Sequence, residues 1–144
     1  MNYRQRVFVL PPVAFLLLFI LFALPTAESQ DLRDKSNALL GKIQPDGVVY
    51  NRNNAQIGKI DRDGKVRNAS NAQIGNIQSN GVIYDRNNAK IGKIQSDGAV
   101  YDRNNAQIGK IQNEVVYDRN NAQIGTAKGV RREWAAAFFF FFDF

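Results

Sequence analysis

A sequence repeat of about 17 residues recurs along this chain and constrains its fold more than any other feature. Asn51–Ile60 reads NRNNAQIGKI, Asp85–Gln95 reads DRNNAKIGKIQ and Asp102–Gln112 reads DRNNAQIGKIQ. Such repetition predicts small units that can bury a core only together. The glycine that follows the aliphatic residue of each repeat recurs at intervals of 17, 17, 17, 17 and 16 residues. These glycines are Gly41, Gly58, Gly75, Gly92, Gly109 and Gly125.

Each repeat carries two turn signals separated by short apolar and polar runs. One signal is an Asp-Gly or Asn-Gly pair such as Asp46-Gly47, and the other is an asparagine pair such as Asn87-Asn88. No helical period is present, so the pattern predicts two β-strands per repeat joined by tight hairpins. Five repeats lie between Leu40 and Gln123, preceded by a worn half-copy at residues 36–38.

The glycine turn can be typed from the shortened fifth repeat. A three-residue loop that ends on a left-handed glycine fits Pro45-Asp46-Gly47. The fifth repeat lacks one residue and reads Gln112-Asn113-Glu114-Val115, which predicts a two-residue loop there. Because a slip of one residue would turn every side chain over, we expect the register to be the same in both loops.

The second repeat identifies the buried face of the strands. Lys65-Val66-Arg67 stands where the first repeat has Val48-Val49-Tyr50, and only the middle residue stays apolar. The middle residue therefore points to the core, and the tyrosine positions lie on the wetter face, opposite Lys42, Lys93 and Lys110. The predicted core residues are Val49, Val66, Ile83, Val100 and Val116, faced by Ile43, Ile60, Ile77, Ile94 and Ile111.

A second isoleucine series lies three residues before the core isoleucine of each repeat. An odd offset places the two on opposite faces of an ideal strand. The intervening glycine favours a β-bulge, which would turn both isoleucines inward. The series is Ile57, Ile74, Ile91, Ile108 and Ile124.

The two ends of the chain differ from the repeats and divide it into three parts. Residues 1–29 combine Arg4 and Arg6 with an apolar run, Pro25 and small residues before Gln30, the pattern of a helical signal peptide. Residues 30–129 form the repeat domain, and residues 130–144 form an aromatic C-terminal segment. We expect an exported protein that is periplasmic, surface-exposed or secreted; the alternative is a membrane anchor retained through residues 7–24.

The aromatic segment contains Trp134, three alanines and five consecutive phenylalanines from Phe138 to Phe142. We expect a last strand that closes or plugs the ring of hairpins. The alternation up to the terminal Phe144 is also typical of outer-membrane barrel proteins, although their strands need about 9–11 residues and these hairpins have fewer. A tail that docks a partner or enters a membrane through residues 138–144 is the third alternative.

Composition excludes several kinds of chemistry. The chain has no His and no Cys, which excludes a Ser-His triad, a thiolate nucleophile and an ordinary zinc site. Asp61-Arg62-Asp63-Gly64 lacks the acidic ladder of a calcium loop, and is better interpreted as a hairpin turn. The repeated Asp85, Asp102 and Asp118 each precede Arg in a turn, which indicates turn capping. We therefore predict no catalytic, cofactor-binding or metal-binding residues, no cofactor, and a protein that is not an enzyme.

Binding is the remaining kind of function. The net charge of +6 without a basic run argues against nucleic acid as a partner. Tyrosines and Asn-Arg turns repeated around an axis would suit glycans and supply avidity; alternatively, the tyrosines are ordinary strand formers packed against lysine stems. We expect a non-enzymatic structural or interaction module and predict no specific role or partner for it; the alternative is a lectin-like module that binds a glycan or another envelope protein through the repeated Tyr, Asn and Arg positions. The tyrosines are Tyr50, Tyr84, Tyr101 and Tyr117.

The wording of the repeats, IGKIQ-DG-VVYDRNNAQ, together with the leader and the ending REWAAAFFFFFDF, resembles the small exported bacterial proteins called 5-fold β-flower proteins. The resemblance covers Gly41–Gln123 most clearly. It implies an all-β ring of five two-stranded antiparallel petals. It implies no catalytic or binding residue.

Overall fold

The structure is a computed structural model that describes residues 30–144. The predicted signal peptide and its helix, residues 1–29, lie outside the described residues.

Twelve short strands form one closed antiparallel barrel in which each strand pairs with its neighbours in the chain. The predicted all-β antiparallel class is confirmed. The strands are β1 Asp31–Asp34, β2 Leu39–Ile43, β3 Val48–Asn51, β4 Gln56–Ile60, β5 Lys65–Asn68, β6 Gln73–Ile77, β7 Val82–Asp85, β8 Lys90–Ile94, β9 Ala99–Asp102, β10 Gln107–Gln112, β11 Val115–Asp118 and β12 Gln123–Ala127.

Five hairpins and one pair formed by the first and last strands make up the barrel. The hairpins β2–β3, β4–β5, β6–β7, β8–β9 and β10–β11 are those predicted from the five repeats. The sixth pair joins β1 to β12, with Leu32 opposite Ala127. The worn half-copy at residues 36–38 is the turn from β1 to β2. The prediction of a ring closed by the Phe-rich segment is therefore wrong, because the first strand closes the barrel.

The hairpin turns have the predicted forms, and they define the Gly-turn end of the barrel. Gly47 has φ 87°, and its N–H donates to Gln44 O over 2.8 Å. In the fifth hairpin Asn113 and Glu114 both have positive φ, 49° and 66°, as a two-residue turn requires. The register is unchanged, since Ile43 faces Val49 and Ile111 faces Val116.

The opposite end, the Asn-turn end, carries six turns of the form Asp/Asn-x-x-Asn-Ala or its variant in the half-copy. In one of them Asn88 has φ 62°, a conformation that Asn accepts better than most residues. The side-chain Oδ1 of Asp85 accepts the N–H groups of Asn87 and Ala89 over 2.8 and 2.9 Å. The predicted capping role of these aspartates is confirmed.

The predicted bulges are present at the start of every second strand. Val49 faces Gly58 and Tyr50 faces Gln56, so Ile57 is the extra residue on β4. Ile57 and its four equivalents pack against the core but remain half-buried. The bulge is thus confirmed, while the expectation that both isoleucines lie fully inside holds only for the later one of each repeat.

Each strand contributes one buried apolar side chain to an inner ring. The ten predicted core residues are 0–6% exposed, which confirms the assignment of the buried face. Leu32 and Ala127 complete the ring from the closing strands. The inner ring consists of Leu32, Ile43, Val49, Ile60, Val66, Ile77, Ile83, Ile94, Val100, Ile111, Val116 and Ala127.

The C-terminal segment is a helical plug inside the barrel. Helix α1, Arg132–Ala136, continues into a π-helical turn, Ala137–Phe141, and Phe142 is extended. The predicted strand is wrong here: a strand offers only two faces, whereas successive phenylalanines on a helix point in several directions and can meet the whole wall of a tube. Ala135, Ala136 and Ala137 are fully buried in the same core as the inner ring, where small side chains let the backbone pass.

Candidate binding surface on the outer wall of the barrel

The lumen is occupied by the plug, so side chains available to a partner lie outside it. Phenylalanine rings sit beneath five of the repeat glycines. Two clefts at the Gly-turn end have volumes of about 460 and 490 Å³. The repeated polar and aromatic groups lie on the outer wall.

Each predicted tyrosine lies on the outer face of an odd-numbered strand between two polar side chains. All four tyrosines are half-buried. One neighbouring strand supplies Lys or Asn, and the other supplies Gln or Lys, so every ring is flanked by hydrogen-bond donors. The four sets are Lys42–Tyr50–Gln56, Asn76–Tyr84–Lys90, Lys93–Tyr101–Gln107 and Lys110–Tyr117–Gln123.

The contact between lysine and tyrosine is direct in one set. The ammonium of Lys110 lies 5.1 Å from the centroid of the Tyr117 ring, within the range of a cation–π interaction. The expectation that lysines stand opposite three of the tyrosines is confirmed by the register. Equivalent tyrosines are two strand spacings apart, about 10 Å along the sheet.

Two sister repeats have arginine at the tyrosine position. Arg67 lies between Lys59 and Gln73 in the same register that Tyr50 has between Lys42 and Gln56. Arg33 occupies the equivalent place on β1. The barrel therefore accommodates arginine at this position, where Arg67 donates to Asp61 and Arg33 donates to Asp31.

The Asn-Arg turns and the tyrosines do not converge on a single common site. The turns lie at the Asn-turn end of the barrel, where Arg52, Arg86, Arg103 and Arg119 are exposed. Each tyrosine lies on the wall just before the turn of its own repeat. The structure thus distributes the predicted binding groups over separate, equivalent sectors of the barrel.

Residues 29–143 match the protein family described as 5-fold beta-flower protein. The chain belongs to the 5-fold beta-flower family. The five repeat hairpins of this beta-flower protein agree with that description, and the sixth pair consists of the first and last strands. No curated protein and no solved structure matches the chain.

The turn that suggested calcium is a hairpin turn of the beta-flower barrel. Asp61 Oδ2 accepts from Arg67 Nε over 2.8 Å, and Asp63 Oδ2 lies 3.0 Å from Lys65 Nζ. The hydrogen bond from Lys65 lowers the pKa of the Asp63 carboxyl. Across residues 30–144, no group of three or more acidic side chains is placed to hold a metal ion.

Sequence reasoning missed the clefts at the Gly-turn end of this beta-flower protein. They form where the first turn of the plug meets the glycine turns, and Glu133 lines both of the larger ones. Arg132 donates to the carbonyl of Ser96, and the Arg131 guanidinium lies 5.1 Å from the Trp134 ring centroid. Because the tail reads as a strand in sequence, nothing in the repeats indicated these contacts.

Helices of residues 30–144 are too short or too polar to span a membrane.

Proposed function

We propose that this beta-flower protein is an exported, non-catalytic module that binds glycans through the tyrosine sets of its outer wall. Aromatic faces pack against the apolar faces of sugars, and flanking amines and amides hydrogen-bond to hydroxyl groups. The observation that carries the proposal is the presence of Arg67 and Arg33 at two equivalent positions. Because the fold accepts arginine there, the tyrosines at the other four positions serve something other than barrel formation.

The non-catalytic character is supported by composition and by packing. The chain lacks His and Cys, the commonest general base and the most reactive nucleophile. The plug fills the lumen, where a barrel would otherwise enclose a substrate. The repeated aspartates use Oδ1 to accept backbone N–H groups in the Asn turns.

Export is supported by the leader pattern of residues 1–29. A protein outside the cytoplasm meets the polysaccharides of the cell envelope. Four equivalent wall sites would bind a repeating polymer with avidity even if each site is weak.

The contacts of the plug do not favour a membrane-inserting tail. Phe139, Phe140, Phe141 and Phe142 already pack beneath glycines of the barrel wall. Moving these rings into a membrane would leave cavities beside the repeat glycines and would lose the contacts between the rings and the barrel wall.

A glycan array on the full chain tests the proposal. We expect binding that falls at least tenfold when Tyr50, Tyr84, Tyr101 and Tyr117 are all replaced by threonine, a neutral strand former. Cooperative thermal unfolding of this variant should show that the barrel still forms, which separates loss of binding from loss of fold. Binding that survives the four replacements, or silence of the parent across the array, would reject the proposal.

A further inference from the structure

The second repeat differs from the others in the pairing of its outward cations. On β4–β5 they are paired: Lys59 and Arg67 both contact Asp61, and Lys65 contacts Asp63. The lysines equivalent to Lys59 are Lys42, which lies opposite Asp31 in the register of β1 and β2, and Lys93 and Lys110 on β8 and β10. Among residues 30–144, no carboxylate forms an ion pair with Lys93 or Lys110.

The reason for this difference lies in the turn residues. The position of Asp61 is taken by glutamine in the first, third, fourth and fifth repeats, at Gln44, Gln78, Gln95 and Gln112. The aspartates that follow the tyrosines use Oδ1 to accept backbone N–H groups in the Asn turns. Lys93 and Lys110 are therefore cations beside tyrosines that no carboxylate of residues 30–144 pairs with.

We infer that the ligand of the outer wall at β8–β11 is an acidic polysaccharide that carries one carboxylate per disaccharide; the inference rests on the proposed function. Lys93 and Lys110 hold equivalent places on β8 and β10, two strand spacings or about 10 Å apart. An extended polysaccharide advances by a similar length with each disaccharide. One lysine, one tyrosine and one glutamine per repeat would then meet one uronate and one neutral sugar.

The same spacing disfavours a nucleic acid. A strand of duplex DNA presents a phosphate about every 3.4 Å, and proteins that bind it gather cations at comparable density. Here the lysines that lie opposite the tyrosines are separated by whole repeats. A sparse and regular row of charges fits a polymer whose own charges are sparse and regular.

Hyaluronate oligosaccharides, in which glucuronate alternates with N-acetylglucosamine, are a suitable probe. The comparison ligand is the same oligosaccharide with its carboxylates reduced to alcohols. We expect the full chain to bind the acidic form at least tenfold more tightly, with an affinity that falls as salt is added.

The matched variant replaces Lys93→Asn and Lys110→Thr, residues that sister repeats carry at the same place as Asn76 and Thr126. We expect it to lose the preference for the acidic form and most of the salt dependence. The control is Lys59→Asn. Lys59 is already paired with Asp61, so this replacement should leave binding of the acidic form within twofold of the parent.

The outcomes separate the two proposals. Equal binding of acidic and reduced oligosaccharides, or binding of neutral glycans alone, overturns the acidic ligand and leaves the glycan-binding function standing. A preference for the acidic form that survives in the Lys93 and Lys110 variant also overturns it. Tighter binding of a single-stranded oligonucleotide than of hyaluronate would overturn it in favour of a nucleic acid. Silence towards every glycan, acidic or neutral, rejects the proposed function itself.

Discussion

Gly92 leaves the space that the Phe141 ring fills: a Cβ added to Gly92 would lie 2.3 Å from Cε1 of that ring. The relationship repeats around the barrel. Later glycines contact earlier phenylalanines, so each phenylalanine ring of this set packs against a different repeat. The repeat glycine is thus explained by the plug as well as by the bulge beside it. The further pairs are Gly125 with Phe139, Gly109 with Phe140, Gly75 with Phe142 and Gly58 with Phe144.

The rings also contact one another. Phe138 meets Phe139 edge-on at 5.5 Å between centroids and stacks on Phe144 at 6.1 Å. Phe138 thereby links the ring beneath Gly125 to the ring beneath Gly58. Each contact of this kind contributes about 0.5–1.5 kcal/mol beyond area burial.

Gly92→Ala should destabilise the barrel by about 1–3 kcal/mol, because the added methyl group overlaps the Phe141 ring and the neighbouring Tyr101 carbonyl. Phe141→Ala alone should cost about 3–5 kcal/mol through the cavity that it leaves. The double variant should be more stable than the sum of the two costs predicts, with a coupling of about 0.5–3 kcal/mol. Denaturant unfolding of the four proteins measures this coupling.

Gly41→Ala is the control for this cycle. Its added Cβ would meet the Tyr50 carbonyl oxygen at 2.3 Å, but no phenylalanine ring lies among its nearest atoms. Phe141→Ala should therefore add to Gly41→Ala without coupling. Strict additivity in the Gly92 cycle as well would show that Phe141 does not fill the space at Gly92.

The strands, turns and buried face could be predicted because the repeats differ at a few positions, and comparing them shows which positions must stay apolar and where a residue can be lost. The charged second repeat revealed the inward position of Val66, and the short fifth repeat revealed the loop at Asn113-Glu114. Local turn chemistry then fixed the rest, since the left-handed conformation of Gly47 and Asn88 follows from residue type.

The plug and the closing strand could not be predicted from the same information. A run of phenylalanines has no period, so it is compatible with a helix or a strand until the size of the lumen is known. The strand β1 reads DLRD and follows the pattern of KVRN in the second repeat, but no hairpin partner precedes it in its own half-copy, so its pairing with β12 is not encoded locally. Both elements are defined by tertiary packing, which overrides weak local propensity.

Ala136→Leu should destabilise the protein by about 1–3 kcal/mol, because Ala136 is fully buried where the plug passes the inner ring of aliphatic side chains. Ala106→Leu, in an exposed Asn turn, is the matched control and should change the free energy of unfolding by less than about 0.5 kcal/mol. Thermal unfolding compares the two. Equal effects would mean that the plug does not fit tightly in the lumen.

The pair of Asp63 and Lys65 should make stability depend on pH in acid. The hydrogen bond from Lys65 lowers the pKa of Asp63 in the folded state, so the folded state binds fewer protons than the unfolded state near the ordinary pKa. The contribution is complete above the ordinary pKa, about 3.9, and is lost as the pH falls through the lowered value. Because the carboxylate is exposed, the effect should be small and should disappear at high salt.

Lys65→Val, with the residue that the first repeat has at Val48, tests this dependence. Melting temperatures of parent and variant at low salt should differ by a constant amount near neutral pH and should converge below pH 4. A constant difference down to strong acid would assign the effect of the substitution to packing and not to the ion pair.

Asp85→Ala should destabilise the barrel by about 1–2 kcal/mol, because the N–H groups of Asn87 and Ala89 both lose the Oδ1 acceptor. Asp85→Asn is the matched control. Asn51 makes the equivalent pair of bonds, at 2.9 and 3.0 Å, with an amide oxygen. The control should therefore unfold within about 0.5 kcal/mol of the parent. Urea titrations with unchanged m-values would measure both differences. If Asn destabilises as much as Ala, the charge of Asp85 and not its geometry as an acceptor holds the turn.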